Sequence, residues 1–176
     1  MTTYVAMLRA VNVGGRVIAM TELRAAFSAM GHTDARTYIQ TGNVVFGASA
    51  PSAKLRSAIE EGLEARFGPG ITVVLRSRAQ LAAIIEHNPL LGGGRDPKRL
   101  HVTFLGSTPP SSRVAGLETD AFLPDEFRLE GREVYVHCPG GYGRTKINNS
   151  YFERALGVVA TTRNWNTVTA LAEMTN

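Results

Sequence analysis

The first half of the chain alternates short apolar runs, typical of strands, with amphipathic segments, typical of helices. A strand is predicted over Tyr4–Val11 because nearly all of its residues are apolar. Thr21 then caps a predicted helix whose apolar residues recur at i, i+3, i+4 and i+7, and Gly31 ends that helix in the position where glycine is favoured.

Two extended runs and a second helix continue this pattern. Ala35–Thr41 and Val44–Ala48 are predicted strands joined by Gly42-Asn43, a dipeptide that suits the two-residue turn of a hairpin. A helix is predicted from Pro51, and Ile71–Arg76 is predicted as a strand. The order β-α-β-β-α-β is that of the ferredoxin-like unit, in which both helices lie on one face of the sheet.

The second half predicts a similar but shorter order, β-α-β-β-α, which looks like an incomplete copy. It follows a helix opened by the capping box Ser77–Gln80 and a glycine-rich polar loop from Gly92 that marks the best boundary in the chain. The elements predicted after this loop are a strand over Leu100–Leu105, a short helix over Pro109–Glu118, a hairpin of Phe127–Leu129 and Glu133–His137 turning near Glu130-Gly131, a helix over Ser150–Leu156, a connector over Gly157–Thr162 and a last helix over Arg163–Met174. The prediction is therefore an α+β protein of two ferredoxin-like α/β subdomains, residues 1–90 and 91–176, with mainly antiparallel sheets.

Composition narrows the class of protein. Of the 176 residues, 44% are hydrophobic and 19% are charged, which is ordinary for a soluble globular protein. The net charge of +4 permits nucleic-acid or phosphate partners without requiring them. The N-terminus lacks the features of a signal peptide and no apolar run is long enough to span a bilayer, so a cytoplasmic protein without membrane partners is expected. The single cysteine, Cys138, excludes an intramolecular disulfide and a cysteine-based zinc cluster, and is interpreted as a buried thiol.

The familiar catalytic and cofactor motifs are absent. The glycines between Gly140 and Lys146 have neither the spacing of a P-loop nor that of a dinucleotide-binding turn, and no serine lies in a nucleophile elbow. The four histidines are scattered, so no metal or cofactor is predicted, although His101 and His137 both fall on predicted strands of the second half and could approach one another.

The most informative segment is the glycine-rich loop Pro139–Asn149, which carries Arg144 and Lys146 just before a predicted helix. The start of a helix has unpaired N–H groups and a partial positive charge, so it usually attracts acids rather than cations. A bound anion would explain both cations, and an anion site is the leading hypothesis. Arg163 repeats the pattern, because Thr161 or Thr162 can cap the last predicted helix. The alternative is that these cations pair with acids elsewhere.

Two further polar clusters lie at the ends of predicted elements in the first half. One follows the first strand and the other surrounds the predicted hairpin, where alternation puts Tyr38 and Gln40 together on the open face of the sheet. A plain tight turn and a solvated strand face are the alternatives. The residues predicted to bind a ligand in all three clusters are Arg9, Asn12, Gly14, Gly15, Tyr38, Gln40, Asn43, Tyr142, Gly143, Arg144, Lys146, Asn148, Arg163, Asn164, Trp165 and Asn166. Trp165 also suits a core position.

These clusters carry a family resemblance. The segments Leu8–Gly15, Thr37–Phe46, Gly141–Lys146 and Ala160–Thr167, in this order, resemble those of the bacterial domain-of-unknown-function family 1697. Ala10 stands where many members have glycine, and Thr41 stands where serine is common. The resemblance implies two ferredoxin-like subdomains and supplies no activity, substrate or cofactor.

The sequence is compatible with three functions. The leading one is the binding of a phosphate-bearing ligand, either a nucleotide or a nucleic acid, by the cations and helix starts of the second half, with Tyr38, Tyr142 or Trp165 stacking on a base. The second is a transferase or hydrolase on a phosphorylated substrate, for which His137 and Cys138 are the nearby candidates. The third is a structural or oligomerisation module in which the polar clusters lock the two halves together.

Overall fold

The computed structural model describes residues 1–9, 11–12 and 16–176. The chain forms strands and helices whose order repeats once. In the described part of the chain these are β1 (Thr2–Arg9), α1 (Met20–Ala29), β2 (Thr33–Tyr38), β3 (Asn43–Ala48), α2 (Ser52–Phe67), β4 (Thr72–Ser77), α3 (Arg78–His87), β5 (Leu100–Leu105), α4 (Ser111–Ala115), β6 (Glu126–Glu130), β7 (Glu133–His137), α5 (Asn149–Leu156), β8 (Ala160–Asn164) and α6 (Trp165–Met174). The predicted α+β class with antiparallel sheets is confirmed.

The first sheet has the strand order β2-β3-β1-β4, and every neighbouring pair is antiparallel. Alternate residues of β1 face the same way, so Ala6 and Leu8 lie in one core with Phe46 of β3. The helices α1 and α2 contribute Phe27 and Ile59 to this core, and both side chains are fully buried. The helices therefore cover the same face of the sheet, as the sequence predicts.

Two local predictions in the first half are wrong. Helix α1 begins at Met20, with Ala19 in the capping position and no side-chain cap, so Thr21 lies inside the first turn. The hairpin between β2 and β3 does not turn on Gly42-Asn43, because Asn43 already pairs with Tyr38. The turn is residues 39–42, and positive φ angles occur at Ile39 (48°) and Gly42 (81°). Gln40 therefore lies in the turn rather than on the strand face that Tyr38 shares.

The second sheet has the strand order β6-β7-β5-β8 and is also antiparallel throughout. Its core joins Leu105 of β5 and Val136 of β7 to Phe152 and Leu156 of α5, all fully buried. The predicted connector over Gly157–Thr162 is wrong, because its second half belongs to the edge strand β8. The second half is therefore a complete β-α-β-β-α-β copy of the first.

The chain divides into two compact units. The first unit is Met1–Ala82 together with Leu171–Asn176, and the second unit is Ala83–Ala170. The division falls within α3 and within α6, whereas the subdomain boundary predicted between residues 90 and 91 stays a prediction. The capping box at the start of α3 is confirmed, because Ser77 N donates to Gln80 Oε1 at 2.9 Å and Gln80 N donates to Ser77 Oγ at 3.3 Å. None of the helices in the described part of the chain is long and apolar enough to cross a bilayer.

Candidate functional site

In the first unit, Asn12 holds the loop after β1 against the 39–42 turn. Its backbone has a positive φ of 57°, which asparagine tolerates better than most residues. Its side-chain oxygen accepts a hydrogen bond from Ile18 N at 2.7 Å, and its amide nitrogen donates to Gln40 O at 2.5 Å. Both ends of the Asn12 amide are therefore occupied by backbone groups.

Asn43 performs a similar task from inside the sheet. Its side chain is fully buried, and Nδ2 donates to Tyr38 O at 3.0 Å and to Thr41 Oγ1 at 2.9 Å. Gly42 completes the arrangement, since its carbonyl accepts from Leu8 N at 2.8 Å and a Cβ at this glycine would lie 3.0 Å from Leu8 Cβ. The hydrogen bonds of Asn12 and Asn43 thus support the plain tight turn that the sequence left open.

The other predicted site residues of the first unit are less constrained by these contacts. Arg9 is the last residue of β1 and pairs with Thr72 of β4. Tyr38 ends β2 and is half-buried, while the side chain of Gln40 is exposed. The predicted ligands Gly14 and Gly15 lie outside the described residues.

In the second unit, the predicted glycine-rich loop is tied down at several points. Gly141 has a φ of 97°, and Tyr142–Arg144 form one turn of 3₁₀-helix. The buried Thr145 then anchors the loop, since Oγ1 donates to Asp125 Oδ2 at 2.6 Å and accepts from Ile147 N at 3.2 Å. The loop is therefore an ordered structure that holds its side chains in defined places.

Tyr142 closes the loop over the helix-covered face of the second sheet. Its ring stacks on His101, with centroids 4.4 Å apart and planes 24° from parallel. Its hydroxyl accepts from Asn149 N at 2.9 Å, and Asn149 Oδ1 accepts from Thr162 Oγ1 at 3.0 Å. Burial raises the pKa of Tyr142 and lowers the pKa of His101. One face of the predicted stacking platform is thus already covered.

Both predicted helix starts carry asparagine caps of their own. Asn148 Oδ1 accepts from Tyr151 N at 3.0 Å at the start of α5, and Asn164 Oδ1 accepts from Thr167 N at 2.8 Å at the start of α6. These caps satisfy one of the free N–H groups at each helix end.

The prediction that Arg163 occupies the first turn of the last helix is wrong. Arg163 lies in β8, opposite Val102, and only 8% of the residue is exposed. Its Nη1 donates to Thr161 Oγ1 at 2.6 Å and to Thr162 O at 3.0 Å, and burial lowers the pKa of Arg163 to about 10. Trp165 begins α6 and is buried, as a core residue would be, while the Asn166 side chain is exposed.

A cleft of about 500 Å³ opens within the second unit beside the glycine-rich loop. It is lined by Gly93, Gly94, Arg95, Asp96, Arg99, Glu126, His137 and Pro139. Arg95 Nε contacts Glu126 Oε1 at 2.6 Å and Nη2 contacts Oε2 at 3.2 Å, which is the two-pronged geometry that a guanidinium and a carboxylate favour. This pairing raises the pKa of Arg95 and holds the pKa of Glu126 below its ordinary value.

His137 faces the same carboxylate. Its Nδ1 lies 3.3 Å from Glu126 Oε1, and only 11% of the His137 side chain is exposed. Buried Nδ1 thus has the Glu126 oxygen as its polar neighbour but makes no well-formed hydrogen bond with it. His101 is next to Leu100, the partner of His137 across the sheet, so the two histidines point to opposite faces. The expectation that they could approach is wrong.

Arg99 in this cleft, and two cations on the loop whose first residue, Pro139, lines it, have no acidic partner among the described residues. Arg99 lines the cleft, and its Nη1 would lie 3.1 Å from a Cβ placed on Gly141, so the guanidinium rests against the start of the loop. Arg144 and Lys146 are exposed on that loop. Within the described residues, none of these three side chains forms an ion pair or a side-chain hydrogen bond.

Cys138 adjoins the cleft without contributing a nucleophile to it. The side chain is fully buried, and burial raises the pKa of the Cys138 thiol to about 11. A thiol with this pKa is protonated at neutral pH, and the thiolate is the reactive form. Cys138 is thus an inert core residue. In the described ranges, no cluster of histidine, cysteine and acidic residues has the geometry to hold a metal ion.

Sequence reasoning identified the polar loop that begins at Gly92 but overlooked the cleft that its arginines form with Glu126. A signal was available. The hairpin turn at Gly131 pairs Glu130 with Glu133. Moving away from the turn by the same number of residues on each strand pairs Glu126 with His137. The predicted hairpin began at Phe127, one residue too late to include this pair.

The fold and the site together define a class of protein: an α+β chain with two four-stranded antiparallel sheets, each with its helices, and a mixed-charge cleft in the second unit. Residues 1–135 match the family described as protein of unknown function DUF1697, and the chain belongs to this family. The structure resembles that of the conserved bacterial protein SP0830 from Streptococcus pneumoniae, with a TM-score of 0.77, 22% sequence identity and 99% coverage of each chain. At this identity the likeness shows the fold alone. A comparison with curated proteins finds no match.

Proposed function

We propose that this protein binds a small phosphate-bearing molecule in the cleft of the second unit. The observation that carries the proposal is Arg99, a cleft-lining cation with no acidic partner among the described residues, beside a loop that exposes Arg144 and Lys146. Arginine is well suited to phosphate because its planar guanidinium offers two parallel N–H donors.

The formal charges of the cleft lining balance, with Arg95 and Arg99 against Asp96 and Glu126, so the case for an anion rests on how these groups are paired. The charge of Glu126 is offset by the two-pronged contact with Arg95. Asp96 Oδ1 accepts from Lys98 N at 3.0 Å, so one of its oxygens is occupied in capping the short 3₁₀ turn. Arg99 is therefore the cation of the lining that remains open to an anionic ligand.

The shape of the cleft favours a small molecule over nucleic acid. A volume of about 500 Å³ is in the usual range for small-molecule pockets. Single-stranded nucleic acid is held by aromatic rings that present a free face to the bases. Trp165 is buried and one face of Tyr142 is covered by His101, so of these two predicted platforms a base is left with at most the second face of Tyr142. We also assign both units to the ferredoxin-like class, on the β-α-β-β-α-β order and the matching strand orders.

Isothermal titration with inorganic phosphate, pyrophosphate, glucose 6-phosphate and AMP tests this function. At least one probe should bind, and Arg99→Gln should weaken binding about tenfold or more because a charge-assisted contact is lost. Arg56→Gln is the matched control, since it removes an exposed arginine from α2 of the first unit. A tight probe present at 100 times its dissociation constant should also stabilise the fold by about 2.7 kcal/mol. If none of the four probes binds, the proposal is wrong.

An enzyme acting on a phosphorylated substrate is a second candidate, favoured by one observation. His137 and Glu126 face each other on the wall of the cleft, and a carboxylate beside an imidazole is the arrangement that orients a general base. Cys138 is no longer a candidate nucleophile. Release of phosphate from p-nitrophenyl phosphate, abolished by His137→Gln and retained in Arg56→Gln, would support this candidate; no release above the uncatalysed rate counts against it.

A further inference from the structure

We infer that His137 makes the cleft selective for an oxyanion that carries a proton, such as hydrogen phosphate, over an oxyanion of the same shape and charge without one, such as sulfate. This inference rests on the proposed anion binding and specifies its ligand class. It follows from which nitrogen of the His137 ring holds the proton.

Glu126 determines that proton's position. The carboxylate lies 3.3 Å from Nδ1 of His137 and is itself fixed by two contacts from Arg95, at 2.6 and 3.2 Å. The same contacts keep Glu126 ionised, since they lower its pKa. An ionised carboxylate is an acceptor only, so the nitrogen that faces it carries the hydrogen. In the neutral ring, Nδ1 is therefore protonated and Nε2 is left with a lone pair.

Nε2 is the nitrogen available to the cleft. His137 lines the cleft, its Nδ1 is buried against Glu126, and no hydrogen bond to Nε2 occurs among the described residues. A neutral Nε2 accepts hydrogen bonds and repels the lone pairs of a bare oxyanion. It therefore favours a ligand that brings a hydroxyl to that position while its charged oxygens contact Arg99.

Phosphate and sulfate separate this idea from simple anion binding. Near pH 8.5 both are doubly charged tetrahedral ions of similar size, but only phosphate still carries a proton. Phosphate should then bind at least about tenfold more tightly than sulfate in isothermal titration. Arsenate, which is also protonated, should behave like phosphate, and the dianion of methylphosphonate should behave like sulfate.

Variants of His137 test the role of the ring. His137→Leu removes the acceptor, so phosphate and sulfate should bind within about twofold of each other. His137→Gln should restore a preference for phosphate, because its amide oxygen also accepts a hydrogen bond. Arg99→Gln should weaken both ions while leaving their ratio unchanged.

The outcomes distinguish the two proposals. If none of the four phosphate probes binds, the proposed function itself is wrong. If glucose 6-phosphate or AMP binds but inorganic phosphate does not, if phosphate and sulfate bind equally at pH 8.5, or if His137→Leu keeps the preference, the proposed function remains but this inference is wrong. Should His137→Leu fail to fold by circular dichroism, the comparison of phosphate and arsenate with sulfate and methylphosphonate on the unaltered protein still decides the matter.

Discussion

The two units share one order of strands and helices but use their polar residues differently. In the first unit, the conspicuous polar side chains are neutral amides that bond to nearby backbone: Asn12 and Asn43 hold the 39–42 turn. In the second unit, Arg99, Arg144 and Lys146 have no acidic partner in the described part of the chain, and Arg99 lines an open cleft.

This difference teaches that a polar cluster at the end of a strand has two physical explanations, and that hydrogen-bond accounting separates them. A buried polar group must be paired. An amide side chain whose hydrogen bonds go to groups of the neighbouring turn therefore has a role in folding and needs no ligand to account for it. A cation that leaves its charge uncompensated beside a cleft is explained better by a ligand. Substitutions of these polar residues should therefore lower stability in the first unit and weaken ligand binding in the second unit.

The largest loss of stability is expected for Asn43→Ala. The substitution removes a fully buried side chain and the two hydrogen bonds that it donates, to Tyr38 O and to Thr41 Oγ1. Losing these bonds should lower the free energy of unfolding by about 2–3 kcal/mol, measured by urea denaturation. The control is Gln40→Ala in the same turn, which removes an exposed side chain and should change stability by no more than about 0.5 kcal/mol. Equal effects of the two would contradict a structural role for Asn43.

A smaller loss is expected for Gly42→Ala. This glycine has a φ of 81°, and an added Cβ would lie 3.0 Å from Leu8 Cβ. The backbone strain alone should lower the free energy of unfolding by about 1–2 kcal/mol, and the crowding adds to it. Gly140→Ala in the second unit is the matched control, since it has open space around it and should be nearly neutral. If Gly140→Ala costs as much, strain at the turn is not the cause.

The sequence predicted the order of elements well because apolar periodicity is a local property. It also found the α3 capping box, whose two bonds join residues three positions apart. It missed β8 because Ala160–Asn164 is short, polar at three threonine and asparagine positions and placed at a sheet edge. Only pairing with β5 identifies it as a strand, and such long-range pairing is not written in any local pattern.

The site was predicted less completely for the same reason. The cations of the glycine-rich loop stand out in the sequence, and their exposure agrees with that impression. Arg163 stood out equally, yet its guanidinium bonds to β8 itself, because its strand position rather than a helix start decides what it can reach. The contact of Arg95 with Glu126 spans 31 residues, and no motif announces it.

A modest, pH-dependent effect is expected for Glu126→Gln. The folded pKa of Glu126 lies below its ordinary value of 4.5, so its contribution to stability is present above that pH and is lost as pH falls through the folded pKa. The variant should unfold at a slightly lower urea concentration at pH 7, by less than Gly42→Ala, and the difference should shrink as the solution is acidified below pH 4.5. Glu86→Gln, an exposed change in the same unit, should show no such trend. A difference that is constant with pH would mean that ionisation of Glu126 is not responsible.

The smallest change in stability is expected for the double substitution of Arg144→Gln with Lys146→Gln, and it decides between ligand binding and a purely structural role for the loop. Both side chains are exposed, and neither is paired within the described residues, so their loss should shift Tm by no more than about 2 °C in a thermal melt. The stabilisation that phosphate gives the unaltered protein should nevertheless decrease, because charge beside the cleft has been removed. A structural module predicts the reverse, with a clear fall in Tm and no response to phosphate in either protein. Unchanged stability together with a reduced response to phosphate is the combination that distinguishes the cations of the second unit from the amides of the first.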